Sequence, residues 1–137
     1  MSQLTDMLIR HEGKRVHPYT DTVGKLTIGV GRNLTDVGLS DDEIAYLLTN
    51  DIQSIIGELR RTFVWYSALV PARQDALADM GFNLGLTKLK KFILFLAAME
   101  RGSYEEAANE MIASMWAKQV GDRAYELAAM IRMGVYQ

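Results

Sequence analysis

A chain of 137 residues, 49% of them apolar or aromatic, is long enough to bury a core without cross-links. It has no cysteine, which removes disulfide, thiolate and zinc-thiolate chemistry, and only two histidines, His11 and His17, so no metal and no cofactor is expected. The formal charge of -2, from 15 bases and 17 acids, lacks the basic excess of a nucleic-acid binder, and no nucleic-acid partner is expected.

The start, Met1 to Asp6, does not show the basic and then apolar pattern of a secretory signal, and the longest apolar run, Phe92 to Met99, is too short for a membrane span. Cytoplasmic synthesis is therefore expected. Leu4, Met7, Leu8 and His11 recur at helical spacing between Ser2, a suitable N-cap, and Gly13, a suitable stop. They predict a short helix ending at Glu12.

From Val16 to Val30 the period changes to two: Leu26, Ile28 and Val30 alternate with Lys25, Thr27 and Gly29. Asp21-Thr22-Val23-Gly24 has turn chemistry, so the segment predicts a β-hairpin. With the turn centred on Thr22 to Gly24, Asp21 lies opposite Lys25 and Tyr19 opposite Thr27. Asp21 and Thr27 then share a face as diagonal neighbours.

After a loop through Asn33 and Gly38, Ser40 and Glu43 form a capping-box pattern ahead of Ile44, Leu47, Leu48, Ile52, Ile55, Ile56 and Leu59, one face of a long helix. Pro71 suits the first turn of the next, whose Leu77, Met80 and Leu84 run to Gly85. Leu89, Phe92, Ile93 and Leu96 predict another. Ser103 and Glu106 repeat the capping box before Ala107, Ala108, Met111, Ile112 and Met115, and Asp122 is placed to cap a last helix carrying Leu127, Met130 and Ile131. Five or six helices thus follow one hairpin. The expectation is a mostly helical α+β chain in one domain over 1-137, with a small N-terminal hairpin lobe at about 13-36 packed on a helical part formed by 1-12 and 40-137.

Three residues carry the candidate chemistry. Glu12 sits at a helix C-terminus, where partial negative charge disfavours a second negative charge and favours a carboxyl that keeps its proton. Asp21 and Thr27 set an acceptor beside a hydroxyl, a pair able to hold one water. Taken singly, each has a plain structural reading, as a solvated helix end, a turn cap and a strand residue.

The strings around them are more specific. His11-Glu12-Gly13, Tyr19-Thr20-Asp21-Thr22-Val23-Gly24 and Leu26-Thr27-Ile28-Gly29-Val30-Gly31-Arg32-Asn33 together resemble the T4-type phage lysozymes, endolysins of glycoside hydrolase family 24. The resemblance runs on through Asp75-Ala76-Leu77, Phe82-Asn83-Leu84-Gly85, the Trp116 segment and Arg123-Ala124. It implies a lysozyme-like fold and hydrolysis of the β-1,4 bond between N-acetylmuramic acid and N-acetylglucosamine in bacterial peptidoglycan. In that family the residues matching Glu12, Asp21 and Thr27 form the catalytic triad, which implies Glu12 as general acid, Asp21 as general base or transition-state stabiliser, and Thr27 as the positioner of water. Inversion at the anomeric carbon is expected, because Asp21 and Thr27 are arranged to hold water rather than to form a sugar ester. The family also pairs an arginine with its catalytic glutamate, and Arg123 resembles that residue; a cation beside Glu12 favours the carboxylate and so opposes the helix-end effect.

Supporting roles are expected at four further places. Gly31, with Gly29, leaves bare backbone beside Thr27 for a sugar ring or a neighbouring strand. Phe82 and Asn83 fall near a helix end, where Asn83 can meet a substrate amide or Glu12, or simply cap the helix. Lys88, Lys90 and Lys91 flank Leu89 and Phe92, a basic face on an amphipathic helix that is either solvated or meets anionic phospholipid, lipopolysaccharide or wall polymer. Trp65, Tyr66 and Trp116 are sugar-stacking candidates, although Trp116 follows an apolar stripe and is expected in the core.

Two positions depart from the family's T4 member, Arg32 in place of histidine and Asp79 in place of asparagine. Arg32 is expected to make a bidentate contact with Asp36 or another nearby acid. The interval from hairpin to long helix is shorter than in that member, so substrate contacts from it do not transfer. A protein made in the host cytoplasm without a signal, yet acting in the periplasm or cell wall, implies export through a holin-type pore, and a monomer is expected. The alternatives are a lytic transglycosylase, which needs the acid but no hydrolytic water, and a non-catalytic wall-binding or helix-turn-helix module.

Overall fold

In the computed structural model, which describes residues 2-137, the first helix begins where its cap demands. The Ser2 hydroxyl accepts from the Thr5 amide at 3.0 Å, and α1 runs Gln3–Glu12. It stops at Gly13, whose φ of 79° costs no Cβ clash and lets its N–H reach the Ile9 carbonyl at 2.9 Å.

The hairpin follows as β1 (Arg15–Thr20) and β2 (Leu26–Gly29), and a third strand, β3 (Arg32–Asn33), completes an antiparallel sheet in the order β1-β2-β3. β3 has two residues, too few for alternation to register in the sequence. The register pairs Tyr19 with Thr27 and Thr20 with Leu26, as the hairpin parity required. It shifts between Arg15 and Tyr19, an interval containing Pro18, which has no N–H to offer a regular ladder.

The capping box at the start of α2 (Asp41–Thr62) forms: the Glu43 amide donates to Ser40 Oγ at 3.2 Å and the Ser40 amide to Glu43 Oε1 at 2.8 Å. The same Oε1 accepts from Arg32 Nη1 at 2.7 Å, while Nη1 also reaches the Gly38 carbonyl at 3.2 Å. Arg32 therefore meets another nearby acid, Glu43, rather than Asp36, and through one nitrogen rather than two. Asp36 is already held by Lys25 Nζ at 3.1 Å and by Asn33 Nδ2 at 3.0 Å.

The chain divides inside α2 into two compact units, one ending at Leu47 and the other running from Leu48 to Gln137. The second unit comprises the rest of α2, a 3-10 turn at Tyr66–Ala68, α3 (Pro71–Leu84), α4 (Leu86–Leu89), α5 (Ile93–Glu100), α6 (Tyr104–Ala113), α7 (Met115–Val120) and α8 (Asp122–Met133). Its core is Leu59, Leu77, Met80, Leu89, Phe95, Met99, Met111 and Ile131. Ala107 and Ala108 on α6, with Ala124 and Ala128 on α8, are fully buried, and small side chains of this kind allow two helices to pack closely. Trp116 is buried, as its stripe indicated.

Seven helices follow the hairpin, because predicted segments break. The expected helix through Leu89 and Leu96 is interrupted at Phe92 (φ -81°, ψ 63°), so Lys88 ends up in α4 and Lys90 and Lys91 in the turn before α5, rather than on one helical face. The break lets Leu89 and Phe95 both enter the core while Ile93 stays 71% exposed. The second capping box does not form. Arg101 donates to Ser103 Oγ at 3.2 Å and also binds the Glu106 carboxylate, so both members are taken. At α8 the cap position belongs to Gly121, with Asp122 already inside the first turn.

Arg73 closes the other end of α8. Its Nε donates to the Ile131 carbonyl at 2.7 Å, its Nη2 to the Arg132 carbonyl at 3.2 Å, and its guanidinium lies 3.6 Å from the Tyr104 ring centroid. Arg73→Ala is expected to lower unfolding free energy by about 2 kcal/mol in urea titrations, with Arg73→Lys recovering little because an ammonium lacks the fork.

Arg32 is the main cause of a depressed pKa at Glu43, followed by the Ser40 amide and hydroxyl, and the carboxyl is lowered from its ordinary 4.5 to about 2. A folded value below the unfolded one stabilises the fold above the unfolded value, and the effect is lost as pH falls from about 4.5 to about 2. Glu43→Gln is expected to lower the urea midpoint near neutrality and to flatten its acid decline across that window.

Candidate active site

Asp21 directly follows β1, and its carboxylate organises the turn. Oδ1 accepts from the Val23 amide at 2.9 Å and the Lys25 amide at 2.8 Å, while the Asp21 amide donates to the Lys25 carbonyl at 2.9 Å. Both side-chain bonds fall on Oδ1, so Oδ2 is not committed to the turn.

Thr27 lies on the central strand, paired with Tyr19 on one side and Asn33 on the other, and is 4% exposed. Its hydroxyl donates to the Lys25 carbonyl at 3.0 Å. The proton of the hydroxyl is thereby used, and its lone pairs are what it can offer a third group. The peptide groups of Lys25 thus tie Asp21 and Thr27 together, a junction that parity alone did not reveal. The Lys25 side chain leaves it by pairing with Asp36.

Glu12, the last residue of α1, places its carboxyl against Gly31, in the turn between β2 and β3. A Cβ at position 31 would sit 3.2 Å from Glu12 Oε2 and 3.3 Å from its carboxyl carbon, and Gly31 has a φ of 71°. The bare backbone of Gly31 is what lets the Glu12 carboxyl come this close. A Cβ at Gly29 meets nothing within 4 Å. The first unit therefore holds all four, Asp21, Thr27 and Gly31 on one small sheet and its turns and Glu12 at the end of α1.

Arg123, Asn83 and Phe82 belong to the second unit. Arg123 Nε donates to Asp79 Oδ1 at 2.7 Å, and Nη2 leans on the Asp79 carbonyl at 3.4 Å. Asn83 Oδ1 accepts from the Trp116 indole at 2.8 Å, which commits the amide oxygen and leaves the NH2 as its free function. Trp65 stacks on Phe63 at 5.0 Å between centroids, and Tyr66 is buried with its hydroxyl on the Gln74 carbonyl at 3.2 Å, so Tyr66 is not set out as a sugar platform.

Within this unit a cavity of about 510 Å3 is lined by Ile52, Ile56, Asp75, Asp79, Phe82 and Arg123 among others. Asp75 and Asp79 stand one turn apart on α3, and Asp79 is the partner of Arg123. Asp75 also takes the Tyr136 hydroxyl at 2.5 Å, which together with burial and the Asp75 charge raises the Tyr136 phenol above its ordinary range.

The contact at Gly31 gives a direct test. Gly31→Ala forces a Cβ against the Glu12 carboxyl on a backbone that L residues rarely adopt. Turnover per folded molecule is expected to drop at least about tenfold, whereas Gly29→Ala, which meets open space but shares the positive φ of 68°, is expected to lose stability more than turnover.

Comparison with known proteins places this chain in a family. The family model for phage lysozyme matches residues 9-132, a span that includes Glu12, Asp21, Thr27, Phe82, Asn83 and Arg123. The chain is similar to probable T4-type lysozyme 2 of Dictyostelium discoideum, at 27% identity over 98% of this chain and 96% of that one. It is similar to probable T4-type lysozyme 1 of the same organism at 24% identity over the same shares. It is also similar to the pre-baseplate central spike protein Gp5 of Enterobacteria phage T4, at 27% identity over 96% of this chain but 28% of Gp5.

Proposed function

This chain belongs to the phage lysozyme family and is a lysozyme, and from that premise we propose that it hydrolyses the β-1,4 bond between N-acetylmuramic acid and N-acetylglucosamine in peptidoglycan, with Glu12 as general acid and Asp21 and Thr27 holding the water. The observation that carries this reading is the shared anchorage of Asp21 and Thr27 on Lys25.

The Thr27 proton is spent on the Lys25 carbonyl, so Thr27 Oγ accepts one hydrogen of a bound water, and the free oxygen of Asp21 accepts the other. A lone pair of that water is then directed away from both. In the reaction Glu12 gives its proton to the bridging oxygen as the bond from that oxygen to the anomeric carbon breaks. Water attacks the carbon from the opposite face, and its surplus proton passes to Asp21. Water attack in a single displacement inverts the anomeric centre. Solvent afterwards returns a proton to Glu12 and takes one from Asp21.

Digestion of purified sacculi tests each part. Glu12→Gln is expected to slow release of soluble fragments by roughly 10²–10⁴-fold with folding retained, the range for loss of a positioned acid. Thr27→Ser, which keeps the hydroxyl, should stay within about tenfold of wild type, and Thr27→Val should fall well below it. The products should carry reducing ends that NMR finds first in the α configuration. Anhydro ends, or a β product, would overturn the hydrolytic inverting mechanism.

A further inference from the structure

The turn between α4 and α5 gathers charge and apolar surface that neither the fold nor the catalytic reading uses. Lys88, Lys90 and Lys91 are exposed, and none of them is in an ion pair among the described residues. No acid occurs from Leu86 to Met99, so this stretch is locally cationic on a chain of net charge -2. Directly after the lysines, Ile93 is 71% and Leu94 66% exposed, although the next residue, Phe95, is buried. Two adjacent branched apolar side chains at the start of a helix bury little here, and polar residues would serve folding as well.

The surface continues beside them. A hollow of about 360 Å3 is lined by Phe92, Ile93 and Leu94 and reaches Ala113 and Ser114 on the neighbouring helix end, where Met115 follows with 68% exposure. Glu110 is the one acid in its lining, outnumbered by the lysines of the turn.

We infer that Lys88, Lys90, Lys91, Ile93 and Leu94 form a docking surface for an anionic phospholipid bilayer. Charge complementarity chooses the sign of the partner, and the apolar pair chooses its kind. A wall polymer of solvated carboxylates or phosphates would satisfy the lysines and leave Ile93 and Leu94 in water. A bilayer satisfies both, since the ammonium groups meet headgroup phosphates while the apolar tips enter the acyl boundary and the lysine stems lie along it. Three lysines near an anionic surface strengthen partitioning by roughly a hundredfold in total, and the attraction falls off within a Debye length of about 8 Å at physiological salt.

Flotation with vesicles measures this on the whole chain. Vesicles of phosphatidylcholine and phosphatidylglycerol in equal parts are compared with phosphatidylcholine alone, at low and at high salt. Wild type is expected to float with the anionic vesicles only and to be released by salt. Changing Lys88, Lys90 and Lys91 together to Glu should weaken partitioning by about a hundredfold or more. Ile93→Ser with Leu94→Ser should weaken it by about tenfold while leaving the salt dependence in place. All variants should digest purified sacculi at the wild-type rate, which certifies their folding. Equal flotation with both vesicle types, no flotation, or unchanged flotation of the variants would overturn the inference. So would lysine-dependent retention on intact sacculi without vesicle binding, which would assign the patch to wall polymer.

Discussion

Three hydrogen bonds meet at the backbone of Lys25. Its amide donates to the Asp21 carboxylate at 2.8 Å, and its carbonyl accepts from the Asp21 amide at 2.9 Å and the Thr27 hydroxyl at 3.0 Å. A carbonyl has two lone pairs, and both are used. The turn, the pairing of the first two strands and the direction of the Thr27 hydroxyl therefore stand or fall together. The Lys25 side chain extends the dependence by holding Asp36, which in turn holds Asn33, the residue paired with Thr27 on β3.

Beyond the sheet, the loop into α2 depends on one carboxylate oxygen. Glu43 Oε1 receives both the Ser40 amide and Arg32, so the helix start and β3 are clamped by a single group. The pair is partly exposed, and its Coulomb energy in water is modest. Its importance is geometric, because it fixes a short connection whose own apolar side chains, Val37 and Leu39, are left exposed.

The second unit solves a different problem, placing polar groups around an alanine-rich core without stranding them. Arg73 satisfies the last carbonyls of α8, Asn83 receives the Trp116 indole, and Asp79 holds Arg123. Each bond joins residues far apart in the chain and gives a buried or half-buried polar atom a partner, which helix packing alone does not provide. The bonds also determine which functions are left over, such as the amide nitrogen of Asn83.

Much of this was legible in the residue order. Ser2 and Gly13 delimit α1, alternation and turn chemistry set the register of Tyr19 against Thr27, and Ser40 with Glu43 opens α2. These are local rules, decided by dihedral preference and hydrogen bonding within a few residues. For Glu12, Asp21 and Thr27, the sequence determined parity and family resemblance. Tertiary structure decided the rest: that Lys25 joins Asp21 to Thr27, that Gly31 makes room for Glu12, and that Arg32 reaches Glu43 because Lys25 and Asn33 hold Asp36. It also decided that Arg101 dismantles the second capping box and that Phe92 breaks a helix to bury Leu89 and Phe95. Side-chain partners are chosen by competition among groups brought close only by folding, and a linear pattern does not record which competitor is nearest.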